Sequence, residues 1–437
     1  MKLARPNAAQ VSFHEMEMGV FIHFMPTTWL TKGTIYGDLS LINPTELDTD
    51  QWVDVAVSMG ANYIVFVAKH APGFRYWQTE VTPFGVKQLA WRGGRGDILG
   101  DLSASCRRRG VKLGIYMCSA DGYYGAADGG VVGERLDSAM KLRKVKLDAT
   151  PLAQLEYTKV YRQELTEVLS RYGDMCEIWF DGGVLLPVAD IIEKYAPNAM
   201  VLNAPLDQSI ANPIRWCGNE QGWATSPLWN GRSSFKSPKE EPTSPELHGD
   251  PEGQPWEPTE VDTTLRFGPP GYPPKWAWEP DQENIVRTVD ELMEVYYNTV
   301  GRGAVLLMNQ TPDPSGRIPE GDVRRTAEFG AEIRRRFGQS LAETRGEGAT
   351  VELKLGKPTR IDHVITMEDI AQGQSVAEYV LEGAVGREWV TIASGSTIGY
   401  KKIDRFEPVM VSAVRLRVTQ SVTIPQIRKM AVYDTAR

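Results

Sequence analysis

Apolar and polar positions along this chain show two textures, and the change falls near residue 337. Across the first three quarters, short continuous apolar runs are separated by amphipathic stretches. The runs are VFIHF (20–24), NYIVFVA (62–68), KLGIYM (112–117), EIWFD (177–181), MVLNA (200–204), IRWCG (214–218), EVDTTLRF (260–267) and AVLLM (304–308). Strands covered on both faces read as continuous runs, not as alternation. EVDTTLRF is the most polar of the set and the weakest strand signal. Between the runs, start and stop residues predict helices from Thr49 or Asp50 to Met59, from Asp97 to Arg109 and from about Pro151 to Tyr172, each closed by a glycine. Further helices are expected near 188–196, 283–299 and 320–336. Strands alternating with helices in this way predict an α/β fold, a (β/α)8-like TIM barrel, over residues 1–337. An open doubly wound sheet is the alternative, but it would usually carry a Gly-rich phosphate turn after its first strand, and none is present.

Residues 221–282 break the rhythm. They are dense in proline, including PPGYPP, and hold Trp223, Trp229, Trp256, Trp276 and Trp278. The length predicts a functional loop set over the barrel mouth, and the aromatic content predicts that it is ordered. Beyond the linker GQSLAETRGEG the pattern becomes alternating, in TVELKL, AEYVLEG, EWVTIA, AVRLRV and KMAVYD. This predicts a C-terminal antiparallel β-sandwich over residues 338–437.

Composition adds a few exclusions. With 48 Lys and Arg against 56 Asp and Glu, the net charge of −8 argues against broad nucleic-acid binding. No apolar run approaches the ~20 residues of a membrane helix, and no apolar segment typical of a signal peptide follows MKLARPNAAQ. As read, the chain is expected in the cytoplasm, or outside it if an export signal was trimmed. Cys106, Cys118, Cys176 and Cys217 show no CxxC spacing and read as small buried hydrophobes. Five His make a His-rich metal site improbable, and no metal or cofactor is expected. The 12 Trp equal the 12 Phe in number, which suits stacking on sugar faces as well as core packing.

In barrels of this kind, chemistry sits at the C-terminal ends of the strands. Those ends hold His23, Lys69, His70, Tyr116, Asp181, Asn203, Glu220, Arg266 and Asn309, a set suited to a polyhydroxylated ligand. Asp181 and Glu220 each follow a mainly apolar strand. They are either salt-bridged to Lys69, Arg215 or Arg266, or a catalytic pair in which one carboxylate attacks an anomeric carbon and the other protonates the leaving oxygen. His23 and His70 are core histidines, metal ligands or partners of sugar hydroxyls.

Several motifs in order carry a resemblance. GVFIHF, NPTELDTDQWVDVAVSMGANYIVFVAKHAPGF, GIYM and EIWFDGG resemble the α-L-fucosidases of glycoside hydrolase family 29. RWCGNEQG, VYYNTVGRGAVLLMNQTPDPSGRI and GSTIGYKKIDRF resemble the branch active on α-1,3/4-linked fucose. The resemblance implies a retaining exo-glycosidase acting on a fucosylated oligosaccharide or glycoconjugate, with a galactose-binding-like sandwich of discoidin type. It implies Asp181 as nucleophile and Glu220 as acid/base. It implies a sugar pocket lined by His23, His70 and Tyr116, with Phe21 and Trp179 near the fucose methyl group, and Tyr36 and Trp276 complete the expected set. The chain departs from the family's KHHDGF, reading KHAPGF with Ala71, and has Tyr36–Gly37 and Ala120–Asp121 where the branch usually has tryptophan. These departures bear on the sugar, so another α-L-glycoside, or a sugar-binding homologue without turnover, stands as the alternative.

Overall fold

Eight short strands, five of them buried along their whole length, close on themselves. They are β1 (Met18–Ile22), β2 (Tyr63–Lys69), β3 (Lys112–Met117), β4 (Met175–Trp179), β5 (Met200–Leu202), β6 (Pro213–Trp216), β7 (Thr259–Thr264) and β8 (Val305–Gln310). Neighbours pair in parallel in chain order, and β8 returns to β1 through Met18 opposite Leu306 and Ile22 opposite Gln310. The computed structural model describes residues 3–30, 35–133, 150–203, 209–232, 245–268 and 274–436. Parts of the proline-rich segment, including residues 269–273 of PPGYPP, therefore lie outside the described residues.

Both faces of the barrel wall are covered, which is why its strands read as continuous apolar runs. Val20, Ile22, Ile64, Phe66, Ile115 and Ile178 face the helices, whereas Phe21, Tyr63, Val65, Tyr116, Trp179 and Leu307 fill the interior. Gly19 makes room for one of these, since a Cβ there would lie 2.3 Å from the Tyr63 ring. The bottom of the barrel is closed by α1 (Ala8–Met16), whose Phe13 and Met16 join the interior cluster.

The outer helices are α2 (Thr49–Met59), α3 (Ile98–Arg109), α4 (Pro151–Arg171), α5 (Ala189–Tyr195), α6 (Val289–Asn298) and α7 (Glu320–Phe337). Local chemistry sets their ends. The α2 cap is Asp48, one residue earlier than expected, and it accepts from the Gln51 amide. Gly60 closes α2 at φ 92°, where a Cβ would be strained. Thr288 and Glu291 form a reciprocal capping box on α6.

Among the described residues, the helix layer does not follow every strand. Among the described residues, no α-helix follows β5 or β6, contrary to a strict alternation. The proline-rich segment and the C-terminal unit cover that side instead. Gln374 accepts from Asn230 and donates to the Leu228 carbonyl, and Thr397 accepts from the Leu228 amide.

That unit has six antiparallel strands, β9 (Ala342–Glu347), β10 (Thr350–Glu368), β11 (Val376–Val385), β12 (Glu388–Ser396), β13 (Lys402–Ser421) and β14 (Gln426–Tyr433), ordered β9-β14-β10-β13-β11-β12. The two longest strands pair with each other through bulges at Lys354/Thr359 and Ile361/His363. The second half of β10 carries β14, and the second half of β13 carries β11. One bent sheet thus makes both layers of a sandwich, around Val351, Ile361, Leu381, Val411, Val414 and Leu416. Tyr297 meets His363 at 3.0 Å and Phe337 packs on Tyr433, seating the sandwich on α6 and α7.

Candidate active site

Side chains two apart on a strand share a face. On and just beyond β1 this aligns Phe21 with His23, and at β4 it aligns Trp179 with Asp181. The Phe21 ring is the hub, lying 4.6 Å from His23, 5.2 Å from Trp179, 5.8 Å from Tyr116 and 6.1 Å from Trp276, centroid to centroid. His70, just past β2, stacks on Tyr116 at 5.2 Å. Phe21, His23, Tyr116 and Trp179 are buried, whereas His70 and Trp276 are half-buried at the rim.

Both expected carboxylates join this cup. The Tyr116 hydroxyl donates to Asp181 Oδ2 at 2.7 Å, and Trp276 Nε1 donates to Glu220 Oε2 at 3.0 Å. The Glu220 carbonyl also accepts from Thr263 on β7, tying its loop to the barrel. Burial pushes the Tyr116 phenol well above its usual range, and the Asp181 charge adds to this, so it remains a donor. The cations weighed as salt-bridge partners are engaged elsewhere. Lys69 meets Glu164 at 2.9 Å and Asp121 at 3.4 Å, Arg266 meets Asp322 at 2.9 Å, and Arg215 donates to the Trp229 carbonyl and Thr259. Lys69 and Arg266, expected at the strand ends, thus serve ion pairs with helices α4 and α7. Asn203 donates to the Phe180 carbonyl next to Asp181.

The two histidines are fixed as opposite tautomers. His23 Nδ1 lies 2.7 Å from Asn309 Oδ1, while the amide nitrogen of Asn309 donates to the carbonyls of Lys275 and Trp276. With an acceptor facing it, His23 Nδ1 carries the hydrogen and Nε2 keeps its lone pair. His70 Nδ1 instead accepts from the Ala71 amide at 2.8 Å, so its Nε2 carries the hydrogen. Burial, aided by the neighbouring His70, lowers the His23 imidazole to about 3. Burial also lowers His70, against the pull of Asp181. Both rings are neutral near pH 7, one offering an acceptor and the other a donor, as a hydroxyl-bearing ligand requires.

Tyr36, also expected, makes contacts with the loop after β2. Its hydroxyl donates to the Pro72 carbonyl and its ring lies 5.4 Å from Phe84, which stacks on Tyr123. Ala71 packs against the cup, and Ala120 is buried in the same cluster. The important residue absent from the expected set is Glu260. It accepts from Trp179 Nε1 at 2.6 Å and from the Tyr63 hydroxyl at 2.7 Å. The available signal was the polarity of EVDTT, where acids inside an expected strand demand buried partners. Among the described residues, no group of three or more His, Cys, Asp or Glu could hold a metal ion.

An aromatic cup at the C-terminal mouth of a (β/α)8 barrel, touched by two carboxylates and two neutral imidazoles, defines a barrel of the carbohydrate-processing class. The family model for alpha-L-fucosidase matches residues 32–335. The chain belongs to the alpha-L-fucosidase family. It is 28% identical over 486 residues to alpha-L-fucosidase 1 of Arabidopsis thaliana, spanning 99% of this chain and 88% of that one. A crystal structure from Bacteroides thetaiotaomicron, provisionally named an alpha-L-fucosidase, superposes with a TM-score of 0.87 at 35% identity, covering 99% of this chain and all of that one. A glycoside hydrolase 29 family member from an unknown rumen bacterium gives a TM-score of 0.82 at 27% identity, over 99% of this chain and 77% of its own.

Proposed function

We propose that the protein is a retaining exo-α-L-fucosidase that releases terminal α-1,3/1,4-linked L-fucose. Family membership and the named relatives support α-L-fucosidase activity. The observation that carries the mechanism is that Asp181 and Glu220 contact one aromatic cup through Tyr116 and Trp276, both of which meet Phe21.

In the proposed first step, an Asp181 carboxylate oxygen bonds to the anomeric carbon as the bond to the leaving oxygen breaks. Protonated Glu220 gives its proton to that oxygen. Glu220 then takes a proton from water as the water displaces Asp181, and L-fucose leaves with its original anomeric configuration. This double displacement works with carboxyls about 5–5.5 Å apart. His23 Nε2 and His70 Nε2–H would accept from and donate to sugar hydroxyls, while Phe21 and Trp179 offer an apolar wall to the C6 methyl group.

The test is hydrolysis of an aryl α-L-fucoside followed by NMR. The α-anomer of fucose should appear first, and Asp181→Ala should abolish turnover. Initial release of the β-anomer, or near-wild-type turnover by Asp181→Ala, would refute the mechanism. A panel of aryl α-L-fucoside, α-L-galactoside and α-L-glucoside tests the sugar, and the fucoside should have the highest kcat/KM. Release of fucose from α-1,2, α-1,3, α-1,4 and α-1,6 oligosaccharides tests the linkage, with α-1,3 and α-1,4 expected to dominate.

A further inference from the structure

Beneath the aromatic cup the barrel interior holds acids that the mechanism does not use. Glu177 on β4 and Glu260 on β7 are both fully buried. Glu177 lies two positions before Trp179 on β4 and so shares its inward face, and the Trp179 indole N–H donates to Glu260 at 2.6 Å, which puts both acids in the same part of the interior. Glu260 already accepts from Tyr63 on β2 and Trp179 on β4. Neither Glu177 oxygen receives a donor among the described residues. Two ionised carboxylates side by side in this interior would repel, and Glu177 has no donor among the described residues to offset its desolvation. A proton between them turns that repulsion into a charge-assisted hydrogen bond.

We propose that Glu177 and Glu260 share one proton, carried by Glu177, and that Glu260 positions the aromatic floor of the sugar pocket through the Trp179 indole.

The placement of the proton follows from the donors. Glu260 is surrounded by the Tyr63 hydroxyl, the Trp179 N–H and the Glu177 carboxyl, which suits an anion. The charged groups that bear on Glu177 are Glu260 and Asp262, both acids, and neither Glu177 oxygen has a donor among the described residues. Burial first, and then the Glu260 charge, push the Glu177 carboxyl well above the usual range. Other groups near the pair leave this unchanged. The half-buried Cys176 thiol is pushed up by desolvation, and Asp262 is pushed up by burial while accepting from Trp216 Nε1 at 2.6 Å. Lys112 bears on Cys176, but no ion pair joins it to either glutamate among the described residues.

The route to the pocket is short. Glu260 holds the Trp179 indole, which stacks on Tyr116 with planes 18° apart, and the Tyr116 hydroxyl donates to Asp181. Glu260 is therefore a positioning residue. The positioning half of the proposal rests on the fucosidase reading, whereas the shared proton does not.

Two isosteric variants separate the halves. In Glu177→Gln the amide N–H takes the place of the acid O–H toward Glu260, and kcat/KM for an aryl α-L-fucoside should stay within about twofold of wild type. Folding of the wild type takes up a proton at Glu177 above the unfolded carboxyl range, so its stability falls with rising pH in a way the variant's does not. The Tm of Glu177→Gln relative to wild type should therefore climb from about pH 5 to pH 8. Parallel Tm curves would overturn the shared proton whichever glycoside is cleaved. In Glu260→Gln one acceptor oxygen must serve two donors, so kcat/KM should fall about tenfold or more and the inhibition constant for free L-fucose should rise. Wild-type values for both would overturn the positioning role. If Glu260→Gln does not fold, Trp179→Phe deletes the same hydrogen bond while keeping a ring in the floor. It should show the same losses, and wild-type values there would likewise overturn the role. If neither the wild type nor Glu177→Gln cleaves any α-L-glycoside, the fucosidase reading fails while the Tm comparison still decides the proton.

Discussion

Replacing Asn309 with alanine tests how the pocket is wired. Asn309 is 2% exposed and works in two directions, accepting from His23 at 2.7 Å and donating to the carbonyls of Lys275 and Trp276 at 3.3 Å. The bond to His23 is short and buried. Losing it leaves an imidazole N–H unsatisfied, at a cost of about 1–3 kcal/mol. The contacts to the Trp276 loop are longer and partly open to water, so their loss adds about 0.5 kcal/mol or less. The larger consequence is chemical. Without the Asn309 oxygen, His23 is free to move its hydrogen to Nε2, and the pocket then presents two donors in place of one donor and one acceptor. A substrate hydroxyl that donates to His23 loses its partner, worth about 1.4–2.8 kcal/mol, or ten- to hundredfold in kcat/KM. The assay is steady-state hydrolysis of an aryl α-L-fucoside, with Tm measured on the same preparations. A folded Asn309→Ala enzyme within about twofold of wild-type kcat/KM would refute the assignment of His23 as a fixed acceptor.

Three further outcomes follow from buried contacts elsewhere. Glu164→Gln removes one of two anions that balance Lys69 and Arg75 in a fully buried cluster, and should cost about 3–5 kcal/mol in urea unfolding; an unchanged midpoint would show that the cluster is not charge-balanced as drawn. Burial pushes the Asp404 carboxyl up from 3.8 to about 6, partly offset by Lys402 and the Tyr379 hydroxyl. A raised carboxyl adds stability below its unfolded value and loses it as pH rises through the folded value. Asp404→Asn should therefore gain on wild type by about 2.4 kcal/mol between pH 4 and pH 7, and a constant difference across that window would contradict the burial argument. Gly19→Ala places a methyl 2.3 Å from the Tyr63 ring and should destabilise by about 1–3 kcal/mol or more, read as a fall in Tm.

The barrel was legible because its strands are buried on both faces, which leaves apolar runs such as YIVFVA in β2 that need no partner to be recognised. The break in alternation after β5 and β6, where no α-helix follows among the described residues, was not, because that side is held by contact with Gln374 and Thr397, over 140 positions farther along the chain. Within the candidate site, position at a strand end pointed to His23, Tyr116, Asp181 and Glu220, which meet in one cup, yet gave Lys69 and His70 equal standing. Adjacent residues on a strand point to opposite sides. Only the register shows that His70 faces the cup while Lys69 turns outward to Glu164.

Strand β7 shows most clearly why the remainder was hidden. Its sequence, TEVDTT, has every residue buried, yet only one of the six is a hydrophobic residue. A hydrophobic pattern discounts such a segment because an acid buried alone is too costly to keep. Glu260 escapes that cost through Tyr63, 197 positions earlier, and Trp179, 81 positions earlier, together with the proton on Glu177. None of these partners is visible until the barrel has closed. The same feature that weakens β7 as a strand signal also joins it to the pocket floor, since a leucine at 260 would pack in the interior but leave the Trp179 N–H with nothing to hold it. The polarity of this strand is thus better understood as support for the site than as a defect in the barrel wall.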